Sequence, residues 1–204
     1  MPRDKTVSHE KIIPAAKREF LEKGFEKASM RSIADAVGMT SAGLYRHFAD
    51  KEAMFTALVQ PLLSRLEEVY SSIKEDNYSW LEKRDLDGMW KNNKEIQYFL
   101  DLIYEYYDEF KLLICCSGGT SHENFVHDFV MMEQRETLVF LDAARKQGLK
   151  VNEILPQELH MLLSAYVNAL FEIVKHDFTR KEAAHYLNTL QRFFYPGWRE
   201  ILGL

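Results

Sequence analysis

Ser29-Met30-Arg31-Ser32-Ile33-Ala34-Asp35-Ala36-Val37-Gly38-Met39-Thr40-Ser41-Ala42-Gly43-Leu44-Tyr45-Arg46-His47-Phe48 decides how the rest of the chain is read. Ser29 can cap a helix that ends at Gly38, a residue free to take the positive φ of a helix-ending turn. Thr40 can cap a second, short helix. Two short helices joined by a glycine-bearing turn have the composition of a helix-turn-helix. Ile33, Val37, Met39 and Leu44 can pack inward, and Ala34 is small where the helices must cross. The second helix then presents hydroxyls, Tyr45, Arg46 and His47, groups suited to base edges and phosphates, while Leu44 and Phe48 belong to a small core. Gly43 inside a helix costs about 1 kcal/mol relative to alanine, so it implies the close approach of a neighbour or of DNA.

Working outward, helical spacing recurs and no segment alternates over strand length. Ile12, Ala15, Ala16, Glu19, Phe20 and Lys23 form an amphipathic stretch closed by Gly24, with Pro14 inside it as an expected weak point. Asp50 can cap a long helix carrying Phe55, Leu58, Val59, Leu62, Leu66, Val69, Tyr70 and Ile73, with Pro61 a kink point in its stripe. Thr120-Ser121-His122-Glu123 resembles a capping box for a helix reaching about Gln147, with Gly148 beyond. Pro156 suits a first helical position, Thr179-Arg180-Lys181-Glu182 is a second capping box, and Pro196-Gly197 is expected to stop the helix it starts. The fold class is all-α, with about nine helices: a three-helix N-terminal helix-turn-helix domain over residues 1–54 and a helical effector-binding and dimerisation domain over residues 55–204. There is no internal repeat and no low-complexity segment.

Charge divides along the same line. The net charge of −5 hides ten Lys/Arg against eight Asp/Glu in residues 1–60, and sixteen against twenty-three beyond. Five of twenty-six aromatics precede residue 61, so a slightly basic, aromatic-poor part precedes an acidic, aromatic-rich one, which suggests two jobs. The longest apolar run is five residues, Leu112-Leu113-Ile114-Cys115-Cys116, too short to span a membrane. The polar start, Met1-Pro2-Arg3-Asp4-Lys5, lacks a signal-peptide core, and a cytoplasmic protein is expected. The adjacent cysteines pair only with strain and, set in that apolar run, are expected to be buried and inert.

Residues 12–58 resemble the DNA-binding domain of the TetR family of one-component repressors. The residues carrying the resemblance are Ala15-Ala16, Phe20, Gly24-Phe25, Ile33-Ala34, Val37-Gly38, Gly43, Leu44-Tyr45, His47-Phe48 and Lys51-Glu52. The resemblance implies that residues 40–47 enter the major groove, and that Lys51 meets a phosphate at the start of the fourth helix. DNA contacts are accordingly expected from Ser29, Arg31, Thr40, Ser41, Ala42, Gly43, Tyr45, Arg46, His47 and Lys51. The family commonly has lysine where this sequence has Ala42, a departure that removes one backbone contact.

In residues 159–174 twelve of sixteen positions are apolar, and the exceptions, His160, Ser164, Asn168 and Glu172, fall on one narrow stripe. A helix apolar nearly all round is buried on more than one side. Together with the family's habit of dimerising through its last two long helices, this implies a homodimer. Its expected interface is Leu162, Ala165, Tyr166, Ala169, Ile173, Ala183, Leu187, Leu190 and Phe194. The resemblance also implies an effector pocket, expected to be apolar, with Trp90, Phe99, Ile103, Phe110, Phe125, Phe129 and Met132 as candidate walls. The partners implied are an inverted-repeat DNA operator, a second copy of the chain and a small molecule of unknown identity; no membrane partner is expected.

The function this points to is a ligand-responsive transcriptional regulator, a repressor released from a palindromic operator by a small apolar or amphipathic molecule. The alternative keeps the DNA-binding domain and makes the C-terminal domain a docking surface for a protein partner. No catalytic motif, cofactor or metal site is read: His122 and His127 are five apart, where helical metal ligands sit four apart.

Overall fold

The computed structural model describes residues 5–92 and 94–204, with side chains from residue 10 onward. The N-terminal residues 1–4 of the polar start lie outside the described residues. Among those described there are ten helices and no strand: α1 Lys5–Lys27, α2 Met30–Ala36, α3 Ser41–Leu44, α4 Lys51–Lys83, α5 Leu86–Lys91, α6 Lys94–Glu105, α7 Tyr107–Cys115, α8 Phe125–Lys146, α9 Pro156–Lys175 and α10 Arg180–Leu202. The all-α reading stands. No helix among the described residues is long and apolar enough to cross a membrane.

The chain forms two compact units that are not contiguous in sequence. The first takes residues up to Arg65 together with Tyr106–Glu123; the second takes Leu66–Glu105 and Asn124–Leu204. A cut at residue 54/55 therefore misses α7, which packs on α1 in the first unit. α7 belongs there because Phe110, Leu112 and Leu113 are buried. Phe25 N–H also donates to the Cys116 carbonyl at 2.9 Å, and Lys17 Nζ lies 2.5 Å from Glu109 Oε1. The core of this unit is Ile12, Ala16, Phe20, Ile33, Ala34, Leu44, Met54 and Phe55, all essentially inaccessible to solvent. Phe55 meets Phe20 and Phe25 edge-on, with ring centroids 5.4 and 5.6 Å apart.

In the second unit α8 packs along α9, and α10 lies against α6 and α9. Phe99, Phe125, Phe129 and Phe171 form a continuous aromatic cluster at 5.8–6.3 Å between centroids.

Two helix boundaries differ from the sequence reading. Thr120-Ser121-His122-Glu123 is a turn, and α8 starts at Phe125 behind Asn124. The buried Thr120 hydroxyl donates to the Ser117 carbonyl at 2.7 Å and accepts from His122 N–H at 3.0 Å, which closes the turn before any helix begins. α10 does not stop at Pro196-Gly197 but runs on to Gly203 at φ 73°, because Trp198 and Leu202 beyond the proline are buried. That burial outweighs the one hydrogen bond the proline removes. α1 also continues through Pro14, and its backbone departs from helical values at Gly24, φ 72°. α4 likewise contains Pro61 without ending there.

Candidate nucleic-acid interface and interior cavity

The helix-turn-helix is built by side chains that satisfy the ends of short helices. Ser29 Oγ accepts from Ser32 N–H at 3.4 Å at the start of α2, and Thr40 Oγ1 accepts from Gly43 N–H at 3.1 Å at the start of α3. Gly38, at φ 68°, closes α2: Met39 N–H donates to the Ala34 carbonyl at 2.9 Å and Gly38 N–H to the Asp35 carbonyl at 3.1 Å. This is the paired arrangement that a left-handed glycine after a helix permits. A Cβ on Gly43 would sit 3.3 Å from Thr40 Oγ1 and 3.5 Å from Met39 Cε, so the close neighbour there is the cap itself.

The last turn after α3 tightens. Tyr45 N–H reaches the Ser41 carbonyl at 3.0 Å, while Arg46 and His47 reach back only three residues, to Gly43 and Leu44. Leu44 and Phe48 are buried, whereas Tyr45 is 50% exposed and Arg46, Ala42 and Thr40 are exposed. Ser41, Gly43 and His47 are half-buried, Ser29 is exposed, and Arg31 is exposed beside Asp35 at 3.9 Å. The split expected between core and outward residues of this element is therefore present.

Lys51, expected to meet a phosphate, is held within the chain. Its ammonium donates to the carbonyls of Phe25, Glu26 and Ala28 at 2.7, 3.1 and 3.2 Å and lies 4.4 Å from the Phe25 ring centroid. Three hydrogens meet three carbonyls, so the side chain ties the end of α1 to the start of α4. Asp50 caps α4 as read, accepting from Ala53 N–H at 2.7 Å.

A second latch was not recognised from sequence. Glu19 is 8% exposed and accepts from Lys23 Nζ at 2.7 Å, Ser29 N–H at 3.1 Å and Ser32 Oγ at 3.0 Å. Burial would raise its pKa, but the hydrogen bonds from Lys23, Ser29 and Ser32 outweigh burial and hold it below the usual carboxylate range. The signal available was an acid on the inner stripe between Ala16 and Phe20.

The second unit holds a part-open cavity of about 220 Å³ among α4, α5, α6, α8, α9 and α10. Of the seven expected walls, Trp90 and Phe99 line it. Ile103, Phe125, Phe129 and Met132 do not: Ile103 is fully buried core, and Phe125 and Phe129 pack on Phe171. Phe110 belongs to the first unit altogether.

The lining is not simply apolar. It includes Tyr70, Tyr166, Tyr195, Glu95 and Glu133. The Tyr70 hydroxyl hydrogen-bonds Glu133, whose pKa burial, Glu95 and Glu136 push up to about 8. Burial alone raises that of Glu95. Trp90 Nε1 is buried with no hydrogen-bond partner among the described residues. A signal existed for the two acids: Glu95 precedes Phe99, and Glu133 follows Phe129, by four residues each, on stripes that otherwise face inward.

The expected dimer residues divide. Ile173, Ala183, Leu187 and Leu190 are buried within the chain itself. Tyr166 lines the cavity, against Phe194 at 5.2 Å. Leu162 and Ala169 are half-buried and Ala165 is exposed. The exposed apolar residues here are ones the sequence reading passed over: Phe193 at 76%, Met161 at 66% and Leu155 at 62%. The polar stripe on α9 is bonded locally, His160 to Gln134 at 3.2 Å and Asn168 to the Ser164 carbonyl at 2.8 Å. Cys116 is buried, with burial raising its pKa, but Cys115 is exposed, because a helix turns successive side chains about 100° apart and so to different faces.

Comparison with known proteins bears on both parts. The family model for bacterial regulatory proteins, tetR family, matches residues 12–58. The transcriptional repressor AcnR of Corynebacterium glutamicum is 38% identical over 66 residues, 32% of this chain and 35% of that protein. The transcriptional repressor KstR2 of Mycobacterium tuberculosis is 32% identical over 99 residues, 48% of each. The matched stretch thus spans from about a third to about a half of these relatives' lengths. Among solved structures, NalD of Pseudomonas aeruginosa superposes with a TM-score of 0.57 at 20% identity, covering 93% of this chain and 96% of that one. PfmR of Thermus thermophilus gives 0.54 at 20% identity, covering 89% and 97%. These likenesses extend the shared fold over nearly the whole chain. Residues 12–58 thus match the tetR family of bacterial regulatory proteins, and the chain shares its fold with NalD and PfmR.

Proposed function

We propose that the protein is a homodimeric DNA-binding transcriptional regulator, a repressor whose hold on an inverted-repeat operator is released by a small molecule in the second unit's cavity. The observation that carries the reading is the outward set on and after α3. Tyr45, Arg46 and Ala42 are exposed on a helix-turn-helix whose core and caps are complete without them, and the exposed Thr40 caps α3. Such an element positions side chains for the major groove, with hydroxyl and guanidinium groups able to pair with base edges and phosphates. Lys51 acts by fixing the angle at which α4 leaves α1.

Dimerisation is assigned to the exposed side of α9 and α10, at Met161, Ala165 and Phe193, since three such residues on neighbouring helices are costly to leave in water. A two-fold dimer selects half-sites with centres about 34–36 Å apart or a multiple of that spacing.

Selection of bound sequences from random DNA supplies the operator, and the double variant Tyr45→Ala/Arg46→Ala then tests the assignment. At least tenfold weaker operator binding is expected; unchanged affinity rejects it. Met161→Arg should give monomers in sedimentation, and a parent protein that is monomeric at micromolar concentration rejects the dimer.

A further inference from the structure

The charges around the cavity are unequal in a way that specifies its guest. Two lysines line it, and each has a partner: Lys74 Nζ donates to Glu136 Oε2 at 2.7 Å, and Lys94 Nζ lies 3.9 Å from Asp76 Oδ2. The remaining ionisable acids on the wall, Glu95 and Glu133, face no cation among the described residues. Glu133 accepts a hydrogen bond from the Tyr70 hydroxyl, and Glu95 is half-buried with neither a hydrogen bond nor an ion pair among the described residues. An uncompensated buried carboxylate is expensive, and a fold that only needed packing would place apolar side chains there. Around these acids stand aromatic faces and edges: Tyr70, Trp90, Phe99, Tyr166 and Tyr195, with Trp90 and Tyr195 edge-on at 5.6 Å. Carboxyls without a counter-charge inside an aromatic enclosure have the chemistry that receives a poorly hydrated cation. The rings attract it through their quadrupoles, and the acids supply the opposite charge. An anion would meet two acids and lysines already engaged, while a neutral guest would leave the acids as they are.

We propose that the cavity binds a lipophilic organic cation, its charged head between Glu95 and Glu133 and its apolar body against the aromatic walls. The proposal rests on reading the cavity as the effector site, and it adds the charge class of the effector. Trp90 Nε1 is then a donor left for an oxygen on the guest or for a water carried in with it.

The test uses three probes with one tail and different heads: octyltrimethylammonium, octanol and octanoate. Each is titrated calorimetrically, below its micellar concentration, into the full chain. The cation should bind at least tenfold tighter than either of the others. Glu133→Gln and Glu95→Gln should each weaken the cation about tenfold and leave octanol unchanged, the octanol result also reporting that the variant's cavity is intact. Octanol or octanoate binding as tightly as the cation overturns the proposal and leaves the effector reading standing. Undiminished cation binding in the double variant Glu95→Gln/Glu133→Gln, or no binding by any probe, overturns it as well. Operator affinity with and without saturating octyltrimethylammonium separates the two ideas: tight, glutamate-dependent binding that leaves operator affinity unchanged keeps the cation site and rejects the effector role.

Discussion

The two units treat buried polar groups in opposite ways. In the first, Glu19 gathers three donors and the Lys51 ammonium gives its hydrogens to three carbonyls, so each charge is matched by the chain itself. In the second, the half-buried Glu95 and the buried Trp90 Nε1 have no partner among the described residues, where Glu133 has the Tyr70 hydroxyl. A charge answered by the chain fixes geometry, which the proposed DNA-reading role requires, since on that reading a small displacement of Tyr45 or Arg46 misplaces a hydrogen bond to a base. A group left unanswered costs stability in the free protein and is relieved by whatever completes it.

The largest test of this contrast removes the best-satisfied charge. Glu19→Ala strands Ser29 N–H and Ser32 and should cost about 3–4 kcal/mol in urea denaturation. Glu95→Gln should change stability by less than about 0.5 kcal/mol, because no partner is lost. Equal losses in the two variants would erase the distinction.

A smaller effect depends on pH. Glu133 has a folded-state pKa raised to about 8 from 4.5, chiefly by burial and then by Glu95 and Glu136. The folded protein therefore holds a proton that the unfolded chain has released. That contribution is complete below the unfolded pKa and is lost as pH rises through the folded one. Between about pH 6 and pH 9 the parent should lose about 2–3 kcal/mol that Glu133→Gln does not lose. Parallel pH profiles for the two proteins would show that the carboxyl is not held neutral.

Lys51→Met comes next. It keeps the apolar stem and removes the hydrogen bonds to the end of α1, for an expected cost of about 1–2 kcal/mol. Operator binding should weaken with little change in its dependence on salt, because the ammonium acts within the fold. A salt slope reduced by about one unit would instead show a phosphate contact. The smallest expected effect is at the turn. Gly38→Ala places a Cβ at positive φ and should cost about 1 kcal/mol in the same denaturation assay. No change there would mean that the turn adapts, and that the rigidity ascribed to the first unit is overstated.

Much of the helix-turn-helix was legible because its signals are local. Ser29, Thr40 and Asp50 cap helices three residues away, and Gly38 is recognisable from the turn it must make. The inward and outward sides of α3 follow from spacing alone. Boundaries failed where a distant contact overrode a local signal: buried Trp198 and Leu202 carry α10 past Pro196-Gly197, and buried Thr120 holds a turn where a capping box was expected.

By itself the sequence determined the all-α class, the helix-turn-helix and which of its side chains face outward, since caps, turn glycines and helical periodicity act over a few residues. Only the tertiary structure decided which aromatics wall the cavity, that Ile173, Ala183 and Leu187 pack within one chain, and that Lys51 closes on α1. It alone brought Glu95 and Glu133 to one cavity from helices some forty residues apart in sequence. Each of these depends on which helix lies opposite. An apolar stripe of a given period is equally satisfied by its own subunit, a second copy or a ligand, and only the packed arrangement selects among them.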